Sequence, residues 1–93
     1  MITITLDFPK SETWLAGFPY GESVYKNQAE SHFVFGEDIT IVFPPHIVSV
    51  ASSFVQGFFA PIIAVLGYKG VEKKVTIVTG NPRLTESIQE NIY

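Results

Sequence analysis

Between Ile39 and Tyr68 the chain carries no aspartate, glutamate, lysine or arginine, a run of 30 uncharged residues in a chain of 93. Such a run crosses a bilayer, fills the centre of a fold, or lines an interface. Pro44, Pro45, His46, Ser49, Ser52, Ser53, Gln56, Gly57 and Pro61 all fall inside it and argue against a span. Its helix-like part, Ser52 to Leu66, would measure roughly 22 Å at 1.5 Å per residue, short of a ~30 Å hydrocarbon core. The β-branched residues before it suit a buried sheet. The run is therefore read as the centre of a globular fold with no membrane partner. A small membrane-associated protein is the lesser alternative.

Within the run, Ile39–Phe43 and Ile47–Val50 read as strands interrupted by Pro44-Pro45, which cannot donate to a ladder. The first is apolar on both faces apart from Thr40, as in a central strand that is covered or flanked by others. Ser52 then offers an N-cap for a helix with two apolar stripes, Phe54-Phe58-Ile62-Leu66 and Val55-Phe59-Ile63. Pro61 predicts a kink and Gly67–Gly70 an exit turn. Upstream, Ile2, Ile4 and Leu6 alternate with threonines in a half-buried strand rather than a signal peptide. Phe8 to Gly21, broken by Pro9, Gly17, Pro19 and Gly21, reads as a packed loop. Its Trp14, Phe18 and Tyr20 either close one end of the core or form an aromatic contact surface. Tyr25, Ala29 and Phe33 at i, i+4, i+8 predict a helix over 22–33. Val75–Val78 reads as a buried strand. Asn81-Pro82 opens a final helix over 82–92 with the stripe Leu84, Ile88, Ile92. The alternation predicts one α/β domain over 1–93: a small sheet of about four strands, largely parallel or mixed, with about three helices packed on it.

The chemistry-bearing residues are few. With no cysteine there is neither a disulfide scaffold nor a thiolate site, which fits a cytoplasmic protein. Net charge is −3, and of the six cations only Lys73 and Lys74 are adjacent, so no cluster is offered to a nucleic-acid backbone. His32 and His46 lack a third metal ligand at a suitable spacing. His46 stands near Ser49 and Ser52, but no acid lies between Asp38 and Glu72 and no Gly-x-Ser-x-Gly elbow is present. Gly67-Tyr68-Lys69-Gly70 lacks the spacing of a phosphate loop. Neither enzyme activity, a metal nor a cofactor is expected.

Asp38-Ile-Thr-Ile-Val-Phe43, then Ile47-Val-Ser-Val-Ala-Ser-Ser-Phe-Val-Gln-Gly57, resembles the strand–loop–Ser-Ser-Phe–helix core of a bacterial STAS-like family of unknown function. Val75 to Pro82 and the final helix resemble that family's last strand and helix, and the likeness extends over Tyr20 to Ile92. It implies a STAS-like fold, related to anti-sigma-factor antagonists. In those antagonists a serine at this helix start is phosphorylated by a kinase related to the histidine-kinase ATPase fold. The chain departs from the antagonists at Ala51, where they usually carry Asp, and at Phe54, where they carry Gly. Carried over, the resemblance implies a non-catalytic regulatory protein-binding module in which Ser52, or Ser53, is the phosphorylation or partner switch. Val50, Phe54 and Gln56 are then expected on the partner surface, and a serine kinase/ATPase of that fold is the expected partner. An interaction or inhibitory protein without a phospho-switch is the alternative. The small face Gly57, Ala60, Ala64 of the uncharged helix further predicts a homodimer, because a chain this short has little mass to cover it.

Overall fold

A computed structural model describes residues 1–93. In chain order the elements are β1 (Ile2–Thr5), β2 (Trp14–Leu15), α1 (Phe18–Val24), β3 (Ile39–Val42), β4 (Ser49–Val50), α2 (Ser52–Lys74), β5 (Val75–Val78) and α3 (Pro82–Ile92). A π-helical turn, Tyr25–Ala29, and a 3-10 turn, Glu30–His32, prolong α1.

The alternating apolar residues set the register of the main sheet. Strands β1, β3 and β5 lie side by side in that order, all parallel, with Ile4, Ile41 and Ile77 in one row. That row is buried against the helices. The other face carries Thr3, Thr40 and Thr76 in one row and Thr5, Val42 and Val78 in the next. It is exposed on the outer strands and half-buried on β3. The central strand is thus flanked on both edges but covered on one face only.

One expectation about the sheet is corrected and one narrowed. It has three strands rather than four, and of the parallel and mixed alternatives every pairing is parallel. The chain leaves β3 at Pro44-Pro45, and β4 pairs with β2 instead, Leu15 opposite Val50. The Thr13 carbonyl accepts from Val48 N–H at 2.8 Å, and the Leu15 carbonyl from Ala51 N–H at 2.8 Å. Part of the stretch read as a loop is therefore a strand that holds the entry to α2.

The helices also start and stop differently. α1 begins at Phe18, because Pro19 at the first turn needs no N–H partner and has φ already set for a helix. The Tyr25, Ala29, Phe33 stripe is buried as its spacing predicts. α2 is two helical segments: the first ends at Leu66 as the sequence predicts, and a second takes the place of the expected exit turn. Gly67 leaves helical geometry at φ 71°, ψ 170°, after which the helix resumes to Lys74 and runs straight into β5. The break falls at Gly67 and not at Pro61, which keeps helical dihedrals. α3 follows its sequence signals: the Asn81 side chain accepts from Arg83 N–H at 2.9 Å, and Leu84, Ile88 and Ile92 face inward.

The three helices pack on the Ile4/Ile41/Ile77 face around 23 buried apolar residues in one cluster. Phe54 and Phe58 lie at its centre, Phe54 edge-on to Phe8 and Tyr20, and Phe58 edge-on to Tyr25. By length and composition α2 could cross a bilayer. Here its Phe54, Val55, Phe58, Phe59 and Ile62 lie in the core. The accessible surface of 5336 Å² is close to the roughly 5,400 Å² of a compact monomer of 10.3 kDa. The chain has enough mass to cover most of its uncharged helix.

Candidate protein-binding surface

The N-terminus of α2 is built by β4. Ala51 is the N-cap residue, in extended geometry at φ −69°, ψ 152°, and it has no side chain with which to cap. The first intrahelical bond runs from Val55 N–H to the Ala51 carbonyl at 3.2 Å. The Ser52, Ser53 and Phe54 amides stand outside that ladder, as at any helix start. Ser52, expected as the cap, is instead the first helical residue, exposed and with no side-chain hydrogen bond.

Ser53 has a different environment. Its hydroxyl accepts from Gly17 N–H at 3.0 Å, tying the start of α2 to the residue that precedes α1. Gly17 holds φ 102°, a conformation that favours glycine. Close by, Tyr20 donates to a Glu12 carboxylate oxygen at 2.9 Å. Burial, then the hydrogen bond and charge of Glu12, push the Tyr20 hydroxyl up to about 12. His46 Nε2 lies 3.0 Å from the Pro9 carbonyl, which makes that nitrogen the N–H of the ring. No three His, Cys, Asp or Glu side chains gather as a set that could hold a metal ion.

Of the residues expected on the partner surface, Gln56 is exposed, whereas Val50 and Phe54 are 4% and 0% exposed. Both are core: Val50 points inward from β4, and Phe54 is ringed by Phe8, Tyr20 and Phe58. Gly57 is likewise lost from the small face, because α1 lies against it.

What remains is a strip along α2 at successive turns: Ser52, Gln56, Ala60, Ala64 and, past the Gly67 break, Tyr68. None of these is charged. Beside them is a hollow of about 470 Å³, lined mainly by apolar side chains that include Phe18, Ala60, Ile63 and Tyr93. Tyr68 and Tyr93 meet over it with ring centroids 6.1 Å apart. Phe18, Tyr68 and Tyr93 are 42%, 56% and 56% exposed, a concentration of apolar surface of the kind that marks contact sites. The sequence offers Phe18 only as part of an aromatic contact surface with Trp14 and Tyr20, and nothing in it pairs Phe18 with the distant Tyr93. The break that turns Tyr68 outward is signalled only by Gly67.

Comparison of the chain with protein-family models, with curated proteins and with solved structures finds no match.

Proposed function

We propose that the chain is a non-catalytic regulatory module that binds a protein partner through the strip from Ser52 to Tyr68, with Ser52 as its switch. One observation carries the proposal: the exposed, unbonded hydroxyl of Ser52 stands at the head of an uncharged strip, on a helix start with free amides. A phosphate there adds about −1.5 to −2 charges. The helix N-terminus accommodates that charge, and a partner fitted to an uncharged strip does not. Ser53 is the poorer switch, since modifying it breaks its bond with Gly17 N–H. The Ser-Ser-Phe resemblance supplies the class of the modifying partner, a serine kinase of the histidine-kinase ATPase fold, and with it a cytoplasmic setting.

The test uses a partner captured from the host lysate and titrated against variants. Ser52→Ala retains the wild-type affinity, Ser52→Asp changes it at least about tenfold, a difference of 1.4 kcal/mol, and Ala64→Glu abolishes binding. Equal affinities for wild type and Ser52→Asp remove the switch and leave an interaction protein without one. Unchanged binding by Ala64→Glu removes the strip.

A further inference from the structure

The second feature lies on β5; none of the strip residues from Ser52 to Tyr68 lines it, and it meets the hollow beside that strip at Ile92 and Tyr93. β5 pairs only with β3, so one of its edges is open. The Val78 carbonyl accepts from Phe43 N–H at 2.8 Å, which turns the main-chain groups of Thr76 and Val78 toward β3. Strand alternation then turns those of Val75, Ile77 and Thr79 away from it. Val75 N–H is taken by the Val71 carbonyl. The Val75 carbonyl, both groups of Ile77 and the Thr79 amide remain for a further strand.

The open edge is bordered by two hollows between β5 and α3. One, of about 380 Å³, is lined by Val71, Val75, Ile77, Ile92 and Tyr93 and rimmed by Glu72 and Glu90. The other, of about 580 Å³, runs past Thr79 and Gly80 to Thr85 and Glu86. Ile77 and Gln89 line both, so the hollows form one trough along the strand. Its floor is held in place. The Thr79 hydroxyl bonds the Asn81 carbonyl at 2.6 Å and the Thr85 hydroxyl at 2.8 Å, and Gly80 packs on Pro45.

The opposite edge differs. At the end of β1 the side-chain amide of Gln28 accepts from Asp7 N–H at 2.6 Å and donates to the Asp7 carbonyl at 2.9 Å. It occupies that edge at Asp7, just past β1, as a neighbouring strand would, and none of the four hollows borders β1. Only β5 combines an open ladder with room for side chains.

Charge selects the occupant. Glu72, Glu86 and Glu90 line the trough, no lysine or arginine does, and none of the three glutamates forms an ion pair. Two copies joined edge to edge through β5 would bring two acidic troughs together, which like-charge repulsion disfavours. We propose that β5 is the docking edge for an extended, basic segment of a partner protein. The segment adds as a fourth strand, sets an apolar side chain over Val75, Ile77 and Ile92, and places lysine or arginine side chains beside Glu86 and Glu90. Main-chain bonds to Ile77 and Thr79 give affinity, and the trough gives selectivity for apolar and basic residues at every second position, which share the face turned to α3.

The probe is a labelled short peptide with valine and lysine in turn at every second position and threonine between them, titrated by fluorescence anisotropy and followed by amide NMR of the whole chain. Binding is expected to slow hydrogen exchange at the Ile77 and Thr79 amides and to weaken with salt. The same peptide N-methylated on alternate residues keeps its charge but cannot pair, and is expected not to bind. Glu86→Lys with Glu90→Lys, both exposed, is expected to weaken binding about tenfold with the unfolding midpoint unchanged. Equal binding of the N-methylated peptide overturns the proposal by reducing the contact to charge alone. So does an absence of binding, or a dimer of the chain that protects Ile77 without peptide.

Discussion

Gly57 lies against the main chain of Phe18: a Cβ placed on it would sit 2.9 Å from the Phe18 carbonyl carbon and closer still to the oxygen. The relation is reciprocal, since a Cβ on Gly21 would fall on the Phe54 carbonyl oxygen and within 2.8 Å of the Phe58 nitrogen. α1 and α2 therefore cross with their backbones touching, and one glycine from each helix makes the crossing possible. This contact positions Phe18 beside the strip on α2 and brings Gly17 to Ser53.

Gly57→Ala is expected to destabilise the fold by about 2–4 kcal/mol, because the obstructing atoms are backbone and the helices must separate. Alanine's better helix propensity, worth about 1 kcal/mol, offsets only part of this. Chemical denaturation measures the balance. A variant as stable as wild type would mean that the helices are not in backbone contact.

The crossing also marks how far the sequence could be read. Elements with strong local signals came out as expected: the Ile2/Ile4 alternation and the Asn81-Pro82 cap with its Leu84, Ile88, Ile92 stripe; the strand at Val75 also forms, but it is an edge strand with only Ile77 buried rather than the buried strand expected. Pro19 and Gly21 taken alone signal a loop. They are helical because a partner helix 36 residues along the chain, at Gly57, needs the space that Gly21 leaves. The Trp14–Leu15 strand is too short for any alternation to be visible, and its partner is fixed by where Pro44-Pro45 diverts the chain. At the candidate site, the helix start at the serine pair and the uncharged outer face with Gln56 were legible, though Ser52 is not the cap that its residue type suggests. Val50 and Phe54 were not legible as core, since in an uncharged run every face is apolar and only packing decides which face is covered.

The two serines should separate cleanly in stability. Ser53→Ala removes the acceptor of Gly17 N–H and is expected to cost ~1 kcal/mol. Ser52→Ala should stay within about 0.5 kcal/mol of wild type, as that hydroxyl caps nothing. Ala51→Ser, introducing a cap at a residue already extended, should stabilise by roughly 0.5–1 kcal/mol. Unfolding midpoints of the three variants check the assignment, and a loss at Ser52 equal to that at Ser53 would contradict it.

Alkaline pH should unfold the protein partly through Tyr20. Burial first, then Glu12, raises its folded pKa to about 12, above the ordinary value of 10.0. The native state then holds the proton more tightly than the unfolded chain. The stabilisation is whole below pH 10 and is lost as pH rises from 10 toward 12. Tyr25 and Tyr93 contribute in the same direction, both raised by burial first and then by Glu30 and Glu72 respectively. Phenolate absorbance should show a tyrosine titrating near 12 that disappears in Tyr20→Phe, and that variant should show a shallower alkaline loss of stability. An unchanged titration would place Tyr20 in open solvent.

Gly67 tests a different kind of constraint. A Cβ there would meet nothing within 4 Å, yet φ 71° with ψ 170° is a conformation that essentially only glycine adopts. Gly67→Ala should therefore cost about 1–3 kcal/mol through the backbone alone. Amide NMR should show the helix straightening across residue 67, and retention of the break with no stability loss would refute this account.

The same outer face of α2 sets the self-association that we propose. Val65 is 61% exposed and lies with Pro61 across Ala60 from the hollow of Phe18, Tyr68 and Tyr93, so the face spans both flanks of the strip. The exposed parts of Phe18, Val65, Tyr68 and Tyr93 together present on the order of 400 Å², below the ~800 Å² per partner of a stable complex. A dimer through this face should accordingly be weak, visible in sedimentation velocity at high micromolar concentration and absent at low micromolar. Val65→Glu should abolish it, because two carboxylates would then be buried facing each other, while an exposed position leaves the unfolding midpoint within about 0.5 kcal/mol. Since the face includes Ala64 and Tyr68, the dimer and the partner proposed for the Ser52 strip should compete, and raising the chain's concentration should weaken partner binding. A sedimentation coefficient independent of concentration would show that α2 presents this face to no second copy.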